Sequence, residues 1–162
     1  PRGLFPDLET AEIRILGVWG NEATELIYPL EYLWGRRFQL EVADEGEVLK
    51  SSVGIDFSIT SGAVSGHFDS VRKFSESVRL RGWALDAEHS EIVDSVAIFA
   101  GNRFLKSIKP NRQVRVDELG EVLSWCGFEA DLPVELFGDL HVAELRIFAV
   151  SRRGVASELE SP

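Results

Sequence analysis

The 162-residue sequence has no methionine and a single cysteine, Cys126. One cysteine excludes an intramolecular disulfide and a thiolate metal cluster. A chain of this length buries roughly 70% of the surface its unfolded form exposes, so it folds without such staples. Basic residues are scarce: 17 Lys and Arg stand against 27 Asp and Glu, for a net charge of −10. Nucleic-acid binders carry a basic surface, so no nucleic acid is expected as a partner, and an anionic membrane surface is disfavoured for the same reason. The acidic excess is read as a solubility device. No apolar run approaches the ~20 residues of a membrane span, so no membrane insertion is expected of this segment. No signal peptide is visible. The missing methionine at Pro1 points to a fragment of a longer or processed protein. The three histidines, His67, His89 and His141, have no ligand spacing. His89 among Asp86, Glu88 and Glu91 reads as a solvated acidic turn, and no metal or cofactor is expected. Neither a glycine-rich phosphate loop nor a nucleophile elbow is present.

The chain is rich in short alternating stretches. Val78 and Leu80 alternate with Arg79 and Arg81, the period of a strand with one buried face. Gly82 and Trp83 follow, and Trp83 is expected at the centre of a β-sandwich, closed between two stacked layers. Further strands are expected over Ala11 to Trp19, Arg37 to Val42, Val53 to Ile59, Phe68 to Phe74, Ile92 to Ala100, Arg103 to Ile108, Gly127 to Leu132, His141 to Ser151 and Val155 to Leu159. Val53, Ile55, Phe57 and Ile59 should face one way. Glu22 to Leu33 is ambiguous, because Pro29 forbids a continuous helix and demotes a central strand. Asp44 to Glu47, Gly101-Asn102 and Arg152 to Gly154 read as turns. Leu119, Val122 and Leu123 have helical spacing, so Asp117 to Trp125 is expected to form the one short helix, capped by Asp117.

Many short strands and no βα alternation give an all-β chain: an immunoglobulin-like antiparallel β-sandwich with one short helix, preceded by a smaller β-rich segment. Residues 1–10 read as a linker and residues 11–62 as the β-rich N-terminal segment. The small residues 61–66 form the expected boundary, and residues 66–160 form the sandwich domain. Ile13 to Trp19 and Val78 to Trp83 both end an alternating strand in Gly and Trp, a weak internal echo.

The second part carries an ordered set of short motifs: Gly66-His67-Phe68-Asp69-Ser70, Leu80-Arg81-Gly82-Trp83-Ala84-Leu85-Asp86, Val96 to Gly101, Arg115-Val116-Asp117, and Cys126 to Pro133. This set resembles the β-sandwich accessory modules appended to bacterial proteins of surface-polysaccharide metabolism, such as glycosyltransferases and sulfatase-like proteins. The usual Asp-Gly hairpin is replaced here by Ala100-Gly101-Asn102. The resemblance implies a non-catalytic accessory domain without a defined ligand. It leaves the compartment open between bacterial cytoplasm and cell envelope. Residues 1–63 lie outside it; Val53-Gly54-Ile55-Asp56-Phe57 is distantly similar to polysaccharide-export carbohydrate-binding sandwiches.

Sugar-binding sandwiches stack exposed rings on the apolar face of a pyranose, with polar neighbours for the hydroxyls. Trp19, Tyr28, Tyr32, Trp34 and Trp125 are the candidate rings; core packing or a domain interface is the competing role of each. Arg115 and Asp117, two apart, would share a face of an extended stretch and recognise a hydroxyl or an acid. The competing reading, which we prefer, is a buried ion pair for Arg115 and a helix cap for Asp117. Cys126 reads as a buried, inert thiol. The expected function is a non-catalytic carbohydrate-binding or enzyme-positioning module, not an enzyme in itself. Its partners would be a glycan and a catalytic domain in the same chain or in a partner protein. The alternative is a structural or oligomerising sandwich, including a homo-oligomer, that docks on another domain or subunit through Tyr28 to Trp34.

Overall fold

The structure, a computed structural model, describes residues 15–19, 22–26, 36–44, 46–86, 88, 91–116, 121–138 and 144–160. For residues 15–19, 22–26, 115–116 and 121–124 it describes the backbone alone. The expected linker at residues 1–10 lies outside the described residues. The chain divides into two units, residues 1–34 and 35–162. The first contains an antiparallel hairpin of β1 (Ile15–Trp19) and β2 (Glu22–Leu26), with Trp19 opposite Glu22.

The second unit is built on a seven-stranded and a five-stranded sheet. The larger contains β3 (Phe38–Ala43), β4 (Gly46–Ser51), β5 (Asp56–Ile59), β9 (Ser95–Ala100), β10 (Arg103–Ile108), β13 (Leu145–Val150) and β14 (Val155–Glu158), in the order β10-β9-β13-β14-β5-β4-β3. The smaller contains β6 (Ser65–Lys73), β7 (Ser77–Asp86), β8 (Glu91–Ile92), β11 (Arg112–Val116) and β12 (Glu121–Pro133), in the order β11-β12-β7-β6 with β8 beside the end of β7. The all-β sandwich expected from the sequence is what the chain forms. Within the larger layer β14 and β5 pair in parallel. Ser157 locks this junction: its hydroxyl donates to the Thr60 carbonyl (2.6 Å) and accepts from the Val64 N–H (3.0 Å).

All six residues of β9 are buried, because the strand has a core on each face. Val96, Ile98 and Ala100 join Ile147 and Ala149 of β13 against the smaller sheet, where Val78, Leu80, Phe128, Ala130 and Leu132 meet them. Ala97 and Phe99 point the other way, with Phe148, Val150, Leu49, Phe57, Phe38 and Ala156. That second core draws on one face of β3, β4, β5, β9, β13 and β14, with Phe104 of β10 packed against it, so the larger sheet is rolled around it. Its edge strands approach through side chains: the Phe38 and Phe104 rings lie 6.2 Å apart, and Phe104 stands edge-on to Phe99 at 5.5 Å. At one end Arg146 reaches Glu47 (2.7 and 3.0 Å) and Glu158 (2.7 and 2.8 Å) with paired hydrogen bonds, and its guanidinium lies 5.0 Å from the Phe148 ring.

Several expectations are corrected. The boundary at residues 61–66 gives way to one at residue 35, because β5 pairs with β14 and places β3 to β5 in the same sheet as the C-terminal strands. The short helix is replaced by β12, whose backbone is extended from Glu121 and paired with β11; Asp117 lies outside the described residues. Cross-strand pairing outweighs the helical spacing of Val122 and Leu123. A 3-10 turn follows β12 at Val134–Leu136. Val53 and Ile55 are exposed rather than aligned with Phe57, because Gly54, at φ +77°, closes a turn by donating its N–H to the Ser51 carbonyl. Trp83 is buried as expected, but not between the layers. It lies on the opposite face of β7, in a separate cluster with Leu85, Cys126 and Val114.

Candidate functional site

The outward face of the smaller sheet carries an ordered array of side chains. Val78, Leu80 and Ala84 fill the inter-sheet core, so Arg79, Arg81 and Trp83 stand on the other side of β7. Residues directly opposite across a sheet share a face. Pairing therefore lays down three rows: Arg72–Arg79–Asp131, Ser70–Arg81–Glu129, and His67–Trp83–Gly127–Arg112.

The first two rows are tied by ion pairs. Arg79 donates Nε and Nη2 to Asp131 (2.7 and 3.1 Å), and its guanidinium stacks on Phe74, 5.3 Å from the ring centre. Arg81 donates Nε to Glu129 at 2.8 Å, and Nη1 of Arg112 contacts the same carboxylate. Nε of Arg79 lies 3.6 Å from Glu129 as well. One carboxylate thus gathers three guanidiniums. Hydrogen bonding from Arg79 holds the Asp131 carboxyl below its ordinary range and raises the Arg79 guanidinium. In the third row His67 stands edge-on to Trp83 at 5.3 Å and pairs through Nε2 with Asp69 at 2.6 Å.

Two glycines allow this face to form. A Cβ at Gly82 would stand 2.4 Å from the His67 carbonyl oxygen and 2.6 Å from Cζ of Phe128. A Cβ at Gly127 would meet Cγ1 of Val114 at 2.6 Å, so the bare position lets Val114 lean toward Trp83. Just beyond, Arg112 pairs with Gly127 but Val114 pairs with Leu123, so β12 holds two extra residues in a bulge. Trp125 sits in that bulge at φ +72°, the one positive φ outside glycine among the described residues, and is 53% exposed. Burial pushes the adjacent Cys126 thiol up, consistent with an inert thiol.

Of the residues singled out from sequence, Trp125 alone has a described and exposed side chain. Trp19 ends β1 and Arg115 lies in β11 opposite Val122, both known by backbone position. Tyr28, Tyr32, Trp34 and Asp117 lie outside the described residues. The structure places Arg115 and Trp125 on neighbouring strands, and on the face of β7 that carries Trp83 it lines up residues outside the candidate set: His67, Arg72, Arg79, Arg81, Arg112, Glu129 and Asp131. A signal for them exists. Arg79 and Arg81 alternate on β7 while Glu129 and Asp131 alternate on β12, so pairing these strands brings opposite charges face to face. Comparison with known proteins finds no matching family model, no matching curated protein and no matching solved structure.

Proposed function

We propose that this chain is a non-catalytic carbohydrate-binding or enzyme-positioning module serving bacterial cell-surface polysaccharide metabolism. The observation that supports the reading is the occurrence, on adjacent strands of one open sheet, of a half-exposed indole and a pre-paired polar array. Trp125 offers a ring for the apolar face of a pyranose. The Arg79–Asp131 and Arg81–Glu129 pairs offer both donors and acceptors for hydroxyls. Contacts of this kind are individually weak. Linked to a catalytic domain, they act by raising the local concentration of polymer.

Titration with bacterial surface polysaccharides, followed by tryptophan fluorescence, tests the reading. A saturable response is expected, and Trp125→Gly should remove it. The second reading is a structural or oligomerising domain, favoured by the exposed Val53 and Ile55 in the turn between β4 and β5. A dimer by light scattering, with no saturable response to any polysaccharide, would support that reading instead.

A further inference from the structure

We propose that the face formed by Arg72, Arg79, Arg81 and Arg112 selects a carboxylate-bearing polysaccharide over a neutral one. This inference rests on the carbohydrate-binding reading above. The chain has a net charge of −10, yet this face carries four arginines against three carboxylates, Asp69, Glu129 and Asp131. Arg72 stands directly opposite Arg79, an arrangement of like charges that costs stability. It is exposed, and among the described residues it makes no ion pair and no hydrogen bond. Its whole guanidinium fork remains available to an acid from solution, and carboxylates fit that fork with paired hydrogen bonds.

The neighbouring guanidiniums are partly engaged but not saturated. Arg112 touches Glu129 through Nη1, and Arg81 uses Nε and Nη2 on the same group. Glu129 therefore holds these side chains in place while leaving donors outward, which reduces the ordering cost of binding. From β6 to β11 the array crosses four strands, a span of about 14 Å at the usual strand spacing. That is long enough to meet several units of a polymer at once, so acid groups repeated along a chain would add in avidity.

The test uses polygalacturonate and its fully methyl-esterified form, which share a backbone and differ in charge. Binding is measured by calorimetry at physiological ionic strength. There the screening length is about 8 Å, so the local arginines outweigh the distant net charge. The acid form should bind at least about tenfold tighter than the ester, the scale of one charge-assisted contact. Arg72→Gln should weaken the acid form several-fold and leave the ester unchanged. Because Arg72 has no partner to lose and faces Arg79, this variant should melt at or slightly above the wild-type temperature. Equal binding of acid and ester, or no effect of Arg72→Gln on the acid form, overturns the inference while leaving carbohydrate binding in place. Polyglutamate binding as tightly as polygalacturonate overturns it in favour of an acidic protein segment. Failure of both forms and of every other polysaccharide removes the carbohydrate reading itself.

Discussion

At the scale of single residues, Trp125 and Gly82 show opposite relations between backbone and side chain. Trp125 adopts a left-handed backbone, which costs an ordinary residue roughly 1–2 kcal/mol, and it keeps half its ring in solvent. Replacing it with glycine relieves the strain and removes a ring that is only half buried. We expect Trp125→Gly to unfold in urea within about 1 kcal/mol of wild type. A loss of several kcal/mol would make the ring structural. Gly82 is the converse case, because any Cβ there collides with the His67 carbonyl and the Phe128 ring. Gly82→Ala should cost roughly 2–3 kcal/mol, read as a lower urea midpoint with an unchanged slope. The sequence already showed which face of β7 each residue occupies. Val78 and Leu80 share one parity, and Arg79, Arg81 and Trp83 share the other. The size of Trp83 alone suggests a place between the layers. Parity places it with the arginines, where Leu85, Cys126 and Val114 bury it.

At the scale of elements, strand pairing decides what local patterns leave open. The helical spacing in residues 117–125 is overridden because β11 provides a partner for the extended chain. The expected strand from Val53 shortens to Asp56–Ile59 because a glycine turn takes its first residues. The second outcome has a local cause in Gly54, but the first is not legible without the partner strand. The same holds for Arg146, which joins β13 to β4 and β14 through Glu47 and Glu158. Arg146→Met should destabilise by roughly 2 kcal/mol at neutral pH, the scale of hydrogen bonds between charged groups. The hydrogen bonds from Arg146 hold the Glu47 carboxyl below its ordinary range. A carboxyl lowered in the fold stabilises fully above its unfolded pKa of about 4.3, and that contribution fades as pH falls through the folded value. The stability gap between wild type and Glu47→Gln, measured by urea unfolding, should therefore be largest near pH 6. It should narrow steadily on acidification from about pH 4 downward; a gap that stays constant to pH 3 would sever Glu47 from this role.

At the scale of the whole second unit, two cores share the strands β9 and β13. The uninterrupted run Ser95–Ala100 is the sequence trace of this arrangement, since a strand buried on both faces loses polar alternation. What the run could not reveal is which residues supply the second layer. They come from β3 to β5, ahead of the small-residue stretch that looks like a domain boundary in sequence. This leads to an experiment on fragments. Residues 66–162 alone would expose Ala97, Phe99, Phe148, Val150 and Ala156, the inner surface of the rolled sheet. That fragment should aggregate or lack a cooperative transition, whereas residues 35–162 should unfold in one step. Within the longer fragment, Phe99→Ala in the rolled core and Leu80→Ala in the inter-sheet core should each lower the same single transition by about 3 kcal/mol. If residues 66–162 fold cooperatively by themselves, or if the two substitutions move separate transitions, then β9 and β13 do not couple the two cores.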